Sequence, residues 1–164
     1  MVKTENLVLR HNQFSGVIRD AFGAWSSLTF FDVAHNNLNG LIPRSLFDVP
    51  TLFIAYLHFN SLVGTLPDNF GSPAALRDLY INNNQLRGSI PGIQPNQLQE
   101  LTEFLVHEND FTGQMPASVC SLRTTAKLED LFADCNPPSD PEIICSCCNQ
   151  CFPVPFPFDP FDNR

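Results

Sequence analysis

One short pattern recurs along most of this chain, and its fixed period constrains the fold more than any other feature of the sequence. Its clearest copy is Leu76–Pro91, which reads LRDLYINNNQLRGSIP. In each copy an asparagine is followed by an apolar residue two positions later and by a glycine four positions later. A repeat of this length indicates a solenoid of stacked units. The copies align on Asn12, Asn36, Asn60, Asn84 and Asn109, in steps of 24, 24, 24 and 25 residues.

Each copy begins with alternating apolar residues, which is typical of a short strand with one buried side. A single strand of this kind cannot bury its apolar side alone, so stacked copies are expected to form one continuous parallel sheet over one core. The predicted core-facing residues are Leu7, Leu9, Phe31, Val33, Ala55, Leu57, Leu79, Ile81, Phe104 and Val106.

The recurring asparagines are predicted to be structural. At a turn after the strand, an inward-facing amide satisfies backbone groups that water does not reach, and stacking turns these amides into a ladder. On the opposite side of each unit, the segments Arg44–Val49 and Asp68–Gly71 are predicted to form short helical or 3₁₀ turns. Their inward-facing residues, with that of the fifth unit, are Leu46, Phe70 and Val119.

The full pattern, LxxLxLxxNxLxGxIP, resembles that of the plant-type leucine-rich repeat proteins. This class includes receptor-like kinase ectodomains and polygalacturonase inhibitors. The resemblance implies an α/β repeat solenoid, a right-handed superhelix with a parallel β-sheet on its concave side. It also implies that ligands lie on that concave sheet.

The pattern divides the chain into three segments. Residues 1–127 contain about five repeats, the first of them truncated because Met1 lies inside a repeat. Residues 128–151 contain a degenerate repeat, with Asn136 at the ladder position, and a cysteine-rich cap. Residues 152–164, FPVPFPFDPFDNR, are predicted to be an extended, disordered tail. The truncated first repeat favours a fragment of a longer protein. The degenerate strand contains Leu128, Leu131 and Ala133.

All six cysteines lie in the C-terminal part of the chain, which predicts a disulfide-bonded cap formed in an oxidising compartment. The fifteen pairings that six cysteines allow stay open. The neighbours Cys147 and Cys148 are expected to take different partners. Zinc binding by the CxCCxxC segment is the alternative. The cap resembles those of leucine-rich repeat proteins from diatoms. The six residues are Cys120, Cys135, Cys145, Cys147, Cys148 and Cys151.

The net charge of −8 comes from the C-terminal third of the chain. Up to Leu98 there are six acidic and six basic residues, whereas from Gln99 onward there are eleven acidic and three basic. This balance disfavours nucleic acid and anionic membrane surfaces as partners. No apolar run is long enough for a membrane span, and the N-terminus shows no secretory signal. The cysteines and the resemblance nevertheless predict an extracellular or cell-surface location, although no N-x-[ST] sequon is present.

Ligand contacts are predicted on the concave face, among side chains that alternate with the core residues. The aromatic column Tyr56–Tyr80 is the candidate hot spot, and the alternative is that this pair only stabilises the sheet across strands. His11 and His35 share a column, where a metal or pH-sensitive contact competes with a simple wet polar surface. The predicted ligand-binding residues are Asp32, His35, Ile54, Tyr56, His58, Phe59, Tyr80, Asn82 and His107.

The sequence contains no GxSxG, phosphate-loop, HExxH or kinase pattern, so no catalytic residue, metal site or cofactor is predicted. The favoured function is a non-catalytic module that binds a protein or peptide, as part of an extracellular or receptor-like protein. Two alternatives are kept: a secreted inhibitor of a cell-wall polysaccharide hydrolase, and a structural or adhesive wall protein. A membrane span or a kinase attached in the full-length protein is compatible with the first function.

Overall fold

The computed structural model describes residues 3–135 and 143–152. Asn136 and residues 153–164 of the predicted tail lie outside the described residues. The described strands, in chain order, are β1 (Asn6–Val8), β2 (Ser15–Val17), β3 (Phe30–Asp32), β4 (Asn37–Gly40), β5 (Ile54–Tyr56), β6 (Ser61–Gly64), β7 (Asp78–Tyr80), β8 (Gln85–Gly88), β9 (Glu103–Leu105), β10 (Asp110–Phe111), β11 (Gly113–Gln114), β12 (Asp130–Ala133), β13 (Ile143–Ile144) and β14 (Gln150–Cys151).

The principal sheet confirms the predicted solenoid. Its strands run in the order β1-β3-β5-β7-β9-β12-β14, and neighbours pair in parallel. Equivalent core residues of successive repeats are direct partners, because the repeats have almost equal length. This core row runs Leu7, Phe31, Ala55, Leu79, Phe104 and Leu131. The fold is therefore an α/β repeat solenoid with a parallel concave sheet.

A second parallel sheet was not predicted. It joins β2, β4, β6, β8 and β10; the last four directly follow a ladder asparagine, and β2 begins three residues after Asn12. Its inward residues Leu62, Leu86 and Phe111 are buried, so the core lies between two sheets. Gly40, Gly64 and Gly88 end strands of this sheet and have positive φ; at Gly40, with φ of 79°, an added Cβ would also lie 2.8 Å from Val17 Cγ1. These positions therefore require glycine.

The asparagine side chains form a continuous ladder between repeats. The Nδ2 group of Asn36 donates to the carbonyls of Leu9 and Val33, both at 3.0 Å, and its Oδ1 accepts from the Phe14 N–H at 3.0 Å. Asn60, Asn84 and Asn109 make equivalent bonds. Each amide thus joins its own turn to the preceding repeat.

Backbone hydrogen bonds also join the turns of successive repeats, and a carboxylate accepts the last of them. In the fourth repeat, the N–H groups of Asn83 and Asn84 donate to backbone carbonyls of the fifth, at 3.1 Å each. In the fifth repeat, the corresponding N–H groups of Glu108 and Asn109 donate instead to Asp134 Oδ1 and Oδ2, at 2.8 and 3.2 Å. One side chain therefore replaces the backbone carbonyls of a following turn.

The side opposite the principal sheet consists of short turns. A 3₁₀ helix at Arg44–Asp48 agrees with the prediction, and another covers Phe22–Ala24. Residues 68–71 form turns in which the Phe70 N–H donates to the Pro67 carbonyl at 3.1 Å, which agrees with the predicted short turn. Two four-residue helices, α1 (Ala117–Cys120) and α2 (Leu122–Thr125), lead into the cap. Leu46, Phe70 and Val119 are fully buried, as predicted.

Three disulfides close the C-terminal cap. They join Cys120 to Cys147, Cys135 to Cys151, and Cys145 to Cys148, so the adjacent cysteines have different partners, as expected. No cysteine is free. The Cys135, Cys145 and Cys148 sulfurs lie within 4.8 Å of one another, but all three are in disulfides and none is a thiolate available for zinc.

The cap also corrects the boundary of the predicted tail. β14 pairs with β12 and extends the principal sheet by a strand. Phe152, assigned above to the disordered tail, directly follows β14; its N–H donates to the Ala133 carbonyl at 3.0 Å, and its side chain is buried. Phe152 therefore belongs to the cap, which the disulfides hold on the sheet.

The disulfides should differ in their contribution to stability. Cys120–Cys147 closes a sequence separation of 27 residues, and Cys145–Cys148 one of 3. The longer loop restricts the unfolded chain more, so replacing its two cysteines by serine should lower the free energy of unfolding by about 2 kcal/mol more than the same change at the short one. Urea unfolding of the two double variants measures the difference. Equal losses would contradict this ranking.

Candidate functional site

The concave face consists of the outward-pointing side chains of the principal sheet, and its centre is aromatic. Tyr56 and Tyr80, on neighbouring strands, stack with ring centroids 4.4 Å apart and an interplanar angle of 28°. Phe30 meets Tyr56 edge-on at 5.7 Å, and His58 lies 5.5 Å from Tyr80. The structure thus brings together the predicted aromatic column and adds Phe30, which lies on the next strand in the neighbouring column.

The face is less open than the sequence suggested. Tyr80 is 2% exposed and His107 3%, whereas Val8 at the N-terminal end is 53% exposed. The cause for His107 is visible: the ring of Phe152 stacks on it, with centroids 4.2 Å apart. Elsewhere side chains of neighbouring strands cover one another. Of the predicted ligand-binding residues, Asp32, His58, Tyr80, Asn82 and His107 are buried, and His35, Ile54, Tyr56 and Phe59 are partly buried.

An acidic group adjoins the aromatic centre. Asp78 is buried and accepts hydrogen bonds from Arg77 Nε at 3.0 Å, Arg77 Nη2 at 2.6 Å and Thr102 Oγ1 at 2.9 Å. The Tyr56 hydroxyl donates to Asp78 Oδ2 at 3.4 Å, and the Tyr80 hydroxyl donates to Glu103 Oε2. These bonds fix both phenol rings, because each ring is held at its polar end.

Both tyrosines remain protonated at physiological pH. Burial, followed by the nearby Asp78 and Glu103 carboxylates, raises the pKa of Tyr56 to about 12. Burial and the hydrogen bond to Glu103 raise the pKa of Tyr80 further. Neither phenol is activated as a base or nucleophile, so this part of the face is suited to contact rather than to proton transfer.

The histidines of the N-terminal half belong to a ring stack. His11 and His35 stack at 4.4 Å, and His35 stacks on Phe59 at 4.4 Å. All three residues precede a ladder asparagine and have φ between 51° and 53°. This left-handed backbone recurs one residue before each ladder position and places these rings one above the other. The shared column of His11 and His35 is therefore a continuous stack of rings.

Asp32 lies beside this stack, and burial raises the pKa of its carboxyl above its ordinary value. The Ala34 N–H, at 3.1 Å, and then Arg10, His58 and His11 act in the opposite direction. Arg10 Nη1 is 4.0 Å from Asp32 Oδ2. The ionised form of this carboxyl is thus disfavoured in the folded chain relative to the unfolded one.

This shift predicts the sign of a pH effect. A raised native pKa makes the ionised carboxyl unfavourable to folding, and the penalty disappears as the pH falls through the native pKa toward the unfolded value of 3.8. Asp32→Asn should therefore be more stable than the parent at neutral pH, with a difference that vanishes on acidification. Asp20→Asn is the control with the opposite sign, because hydrogen bonds from Ser45 lower the pKa of Asp20. Urea unfolding at several pH values tests both; a parent more stable than Asp32→Asn at neutral pH would contradict the assignment.

Sequence reasoning missed part of this site. Phe30, Asp78 and Glu103 occupy the same column as Ile54, at the first position of each strand. Each of them lies two residues before a residue that the apolar alternation had already placed on the concave face. Continuing the same alternation by two residues toward the N-terminus of each strand would have identified them.

A separate cavity of about 420 Å³ lies at the N-terminal end of the solenoid. Its lining includes the core-facing residues Leu9, Phe22 and Phe31 together with more exposed residues such as Phe14 and Arg19, and none of the predicted ligand-binding residues. It belongs to the interior of the first repeats rather than to the concave face.

Comparison with known families agrees with this geometry. A leucine-rich repeat family model matches residues 3–62, and a second matches residues 75–96. The chain belongs to the leucine-rich repeat family. No curated protein sequence matches this leucine-rich repeat chain.

Solved structures similar to this leucine-rich repeat chain include plant receptor-kinase ectodomains. One is the GASSHO1/SCHENGEN3 ectodomain from Arabidopsis thaliana in complex with CASPARIAN STRIP INTEGRITY FACTOR 2, with 34% identity, a TM-score of 0.69, and coverage of 80% of this chain and 16% of that one. Another is the Arabidopsis receptor kinase HAESA in complex with the peptide hormone IDA and the co-receptor SERK1, with 34% identity, a TM-score of 0.70, and coverage of 79% and 21%.

A shorter relative is the SOBIR1 ectodomain from Arabidopsis thaliana, with 28% identity, a TM-score of 0.66, and coverage of 74% of this chain and 65% of that one. The leucine-rich repeat chain thus spans about a fifth or less of the two longer ectodomains. Among the described residues, no helix has the length and apolar character needed to cross a membrane.

Proposed function

We propose that this chain is a non-catalytic recognition module that binds an extended peptide or protein segment across its concave face, as part of an extracellular or receptor-like protein. The observation that carries the proposal is the aromatic centre of that face, in which Tyr56 and Tyr80 stack and are fixed by Asp78 and Glu103. Rigid aromatic side chains with a polar end concentrate binding energy at low entropic cost.

The polar groups around this centre suit a peptide backbone. Asn82 Oδ1 is buried and accepts no hydrogen bond from the described residues, while its Nδ2 donates to Asn83 Oδ1 at 2.7 Å. An unsatisfied buried acceptor is costly, and a peptide N–H would satisfy it. The Glu103 carboxylate favours a ligand whose segment at this point carries no negative charge, whereas the charge of Asp78 is compensated by Arg77.

Two further observations support the proposal. Two of the similar ectodomains were solved with peptide or protein ligands, CASPARIAN STRIP INTEGRITY FACTOR 2 and the hormone IDA. The three disulfides require an oxidising compartment, which favours an extracellular location.

Selection of ligands from a displayed peptide library, followed by calorimetry, tests the function. Tyr56→Ala should weaken a selected ligand by tenfold or more, as expected for a hot spot. Leu41→Ala is the matched control, because Leu41 is exposed and follows a strand of the second sheet. Tyr80→Ala is less suitable, since Tyr80 is buried and its loss also affects folding.

Three outcomes count against the proposal: no ligand is selected, Tyr56→Ala binds as the parent does, or Leu41→Ala weakens binding equally. The two alternatives have their own signatures. A hydrolase inhibitor lowers the activity of a cell-wall polysaccharide hydrolase, and an adhesive wall protein binds saturably to isolated wall material.

A further inference from the structure

One cap disulfide lies within a CxxC segment and has a backbone donor aimed at one of its sulfurs. Cys145 and Cys148 are bonded three positions apart, and both are partly exposed. The Cys148 N–H donates to the Cys145 sulfur at 3.0 Å. Such a donor stabilises a thiolate on the sulfur that accepts it, and thiolates are commonly favoured in CxxC pairs. If this disulfide breaks, Cys145 is therefore the sulfur that best carries the negative charge.

The segment is held at both ends without the Cys145–Cys148 bond. On one side β13 pairs with β11, and the Ile144 carbonyl accepts from the Met115 N–H at 2.9 Å. On the other side, Asn149 Oδ1 accepts from the Leu131 N–H at 2.7 Å, and the Asn149 N–H donates to the Leu131 carbonyl at 3.2 Å. Because these bonds involve neither sulfur, the two cysteines stay close together when their disulfide is reduced.

The other two disulfides have a different role. Cys120–Cys147 spans 27 residues and joins α1 to the cap, and Cys135–Cys151 joins the segment after β12 to β14. Each of them connects separate elements, whereas Cys145–Cys148 closes a single turn. A loop this short restricts the unfolded chain least, so its opening costs the cap little stability.

We propose that Cys145–Cys148 is a thiol–disulfide exchange site that takes a dithiol as its reaction partner, with Cys145 as the leaving sulfur. One thiolate of the partner attacks the Cys148 sulfur, and a bond forms between them while the Cys145–Cys148 bond breaks and leaves its electron pair on Cys145. The partner's second thiolate then attacks its own bonded sulfur, which closes a disulfide in the partner and releases Cys148. The partner is oxidised, the pair is reduced, and the partner's two protons pass to the two cysteine sulfurs.

The hydrogen bond at Cys145 also sets the direction in which the exchange runs. In the oxidised pair the Cys148 N–H donates to a neutral sulfur, and in the reduced pair it donates to a thiolate. Hydrogen bonds to charged groups are the stronger kind, so the donor stabilises the reduced pair more than the oxidised one. A disulfide whose reduced form is stabilised is the better oxidant, and the bonded pair is therefore suited to accept electrons from a dithiol.

Limited reduction of the full chain with dithiothreitol tests the site. After brief exposure, alkylation with iodoacetamide and mass mapping should find Cys145 and Cys148 modified about tenfold faster than the other four cysteines. The circular dichroism of the sheets should stay parental at that point, and removal of the reductant should restore the original pairing. Cys145→Ser/Cys148→Ser should lack this early step. Ser146→Ala is the matched control with parental kinetics, because Ser146 is exposed in the same turn and contributes no sulfur.

Two single variants test the role assigned to Cys145. Cys148→Ser keeps the Cys145 sulfur and the N–H of residue 148 that donates to it, whereas Cys145→Ser removes the sulfur that this donor serves. At neutral pH, iodoacetamide should therefore modify Cys145 in the first variant severalfold faster than Cys148 in the second. Equal rates, or a faster reaction at Cys148, would overturn the assignment of Cys145 as the leaving sulfur.

Three results of the limited reduction overturn the exchange site itself. Modification of all six cysteines in one step would show that the cap opens as a unit and that its disulfides are structural alone. A first step at Cys120–Cys147 or Cys135–Cys151 would place the reducible bond elsewhere. Loss of the sheet signal together with the first modification would show that Cys145–Cys148 is needed for the fold, which excludes a reversible exchange.

Discussion

Phe111→Ala should lower the free energy of unfolding by about 4 kcal/mol, within the range known for truncating a buried phenylalanine. Phe111 is 0% exposed, and its strand β10 ends the second sheet by pairing with β8. Removal of the ring leaves a cavity between the two sheets, and the short turns around it have little freedom to close it. Urea unfolding with a linear extrapolation measures the loss.

Phe14→Ala provides the matched control, because Phe14 occupies the same repeat position two residues after a ladder asparagine. Phe14 is 47% exposed at the other end of the solenoid, so its truncation should cost less than about 1 kcal/mol. Comparable losses at the two positions would show that burial in this core does not govern stability.

Asn109→Ala should cost about 3 kcal/mol, because one truncation leaves several buried backbone groups without partners. The Asn109 side chain donates to the carbonyls of Ile81 at 3.0 Å and Val106 at 3.1 Å, and it accepts from the Leu86 N–H at 3.0 Å. These bonds join two repeats, so their loss also weakens the interface between them.

Asn12→Ala is the corresponding control at the first ladder position. Asn12 is exposed, and among the described residues its side chain donates only to the carbonyls of Leu9 and Arg10 in its own turn, at 3.0 Å each. Its substitution should change the free energy of unfolding by less than about 1 kcal/mol. Melting curves that are displaced equally by the two variants would refute the ladder as a source of stability.

The principal sheet could be predicted from the sequence because its register follows directly from the repeat period. Leu79 pairs with Ala55 and Phe104 at the steps of 24 and 25 residues that the asparagines define. The second sheet could not be predicted, because a strand such as Asn37–Gly40 has one buried residue and ends in a glycine with positive φ. Such a segment has the local chemistry of a turn, and only stacking makes it a strand.

The candidate site was predictable in its columns but not in its accessibility. Alternation along the strand selected Tyr56 and Tyr80 correctly as neighbours. Whether a concave side chain is open depends on contacts between distant segments, as Phe152 over His107 shows. Phe152 directly follows Cys151, which is bonded to Cys135, and the sequence alone does not choose among cysteine pairings.

The carboxylate of Asp134 limits how a row of such repeats changes in length. It accepts from the N–H groups of Glu108 and Asn109, which the carbonyls of a following repeat would otherwise bind, so no further repeat of the same kind can follow the fifth. Insertion or deletion of whole units is therefore compatible with the structure upstream of Asp134, where each interface repeats the one before it, but not downstream. The reach of the surface can thus grow or shrink only in increments of one strand spacing, about 4.8 Å.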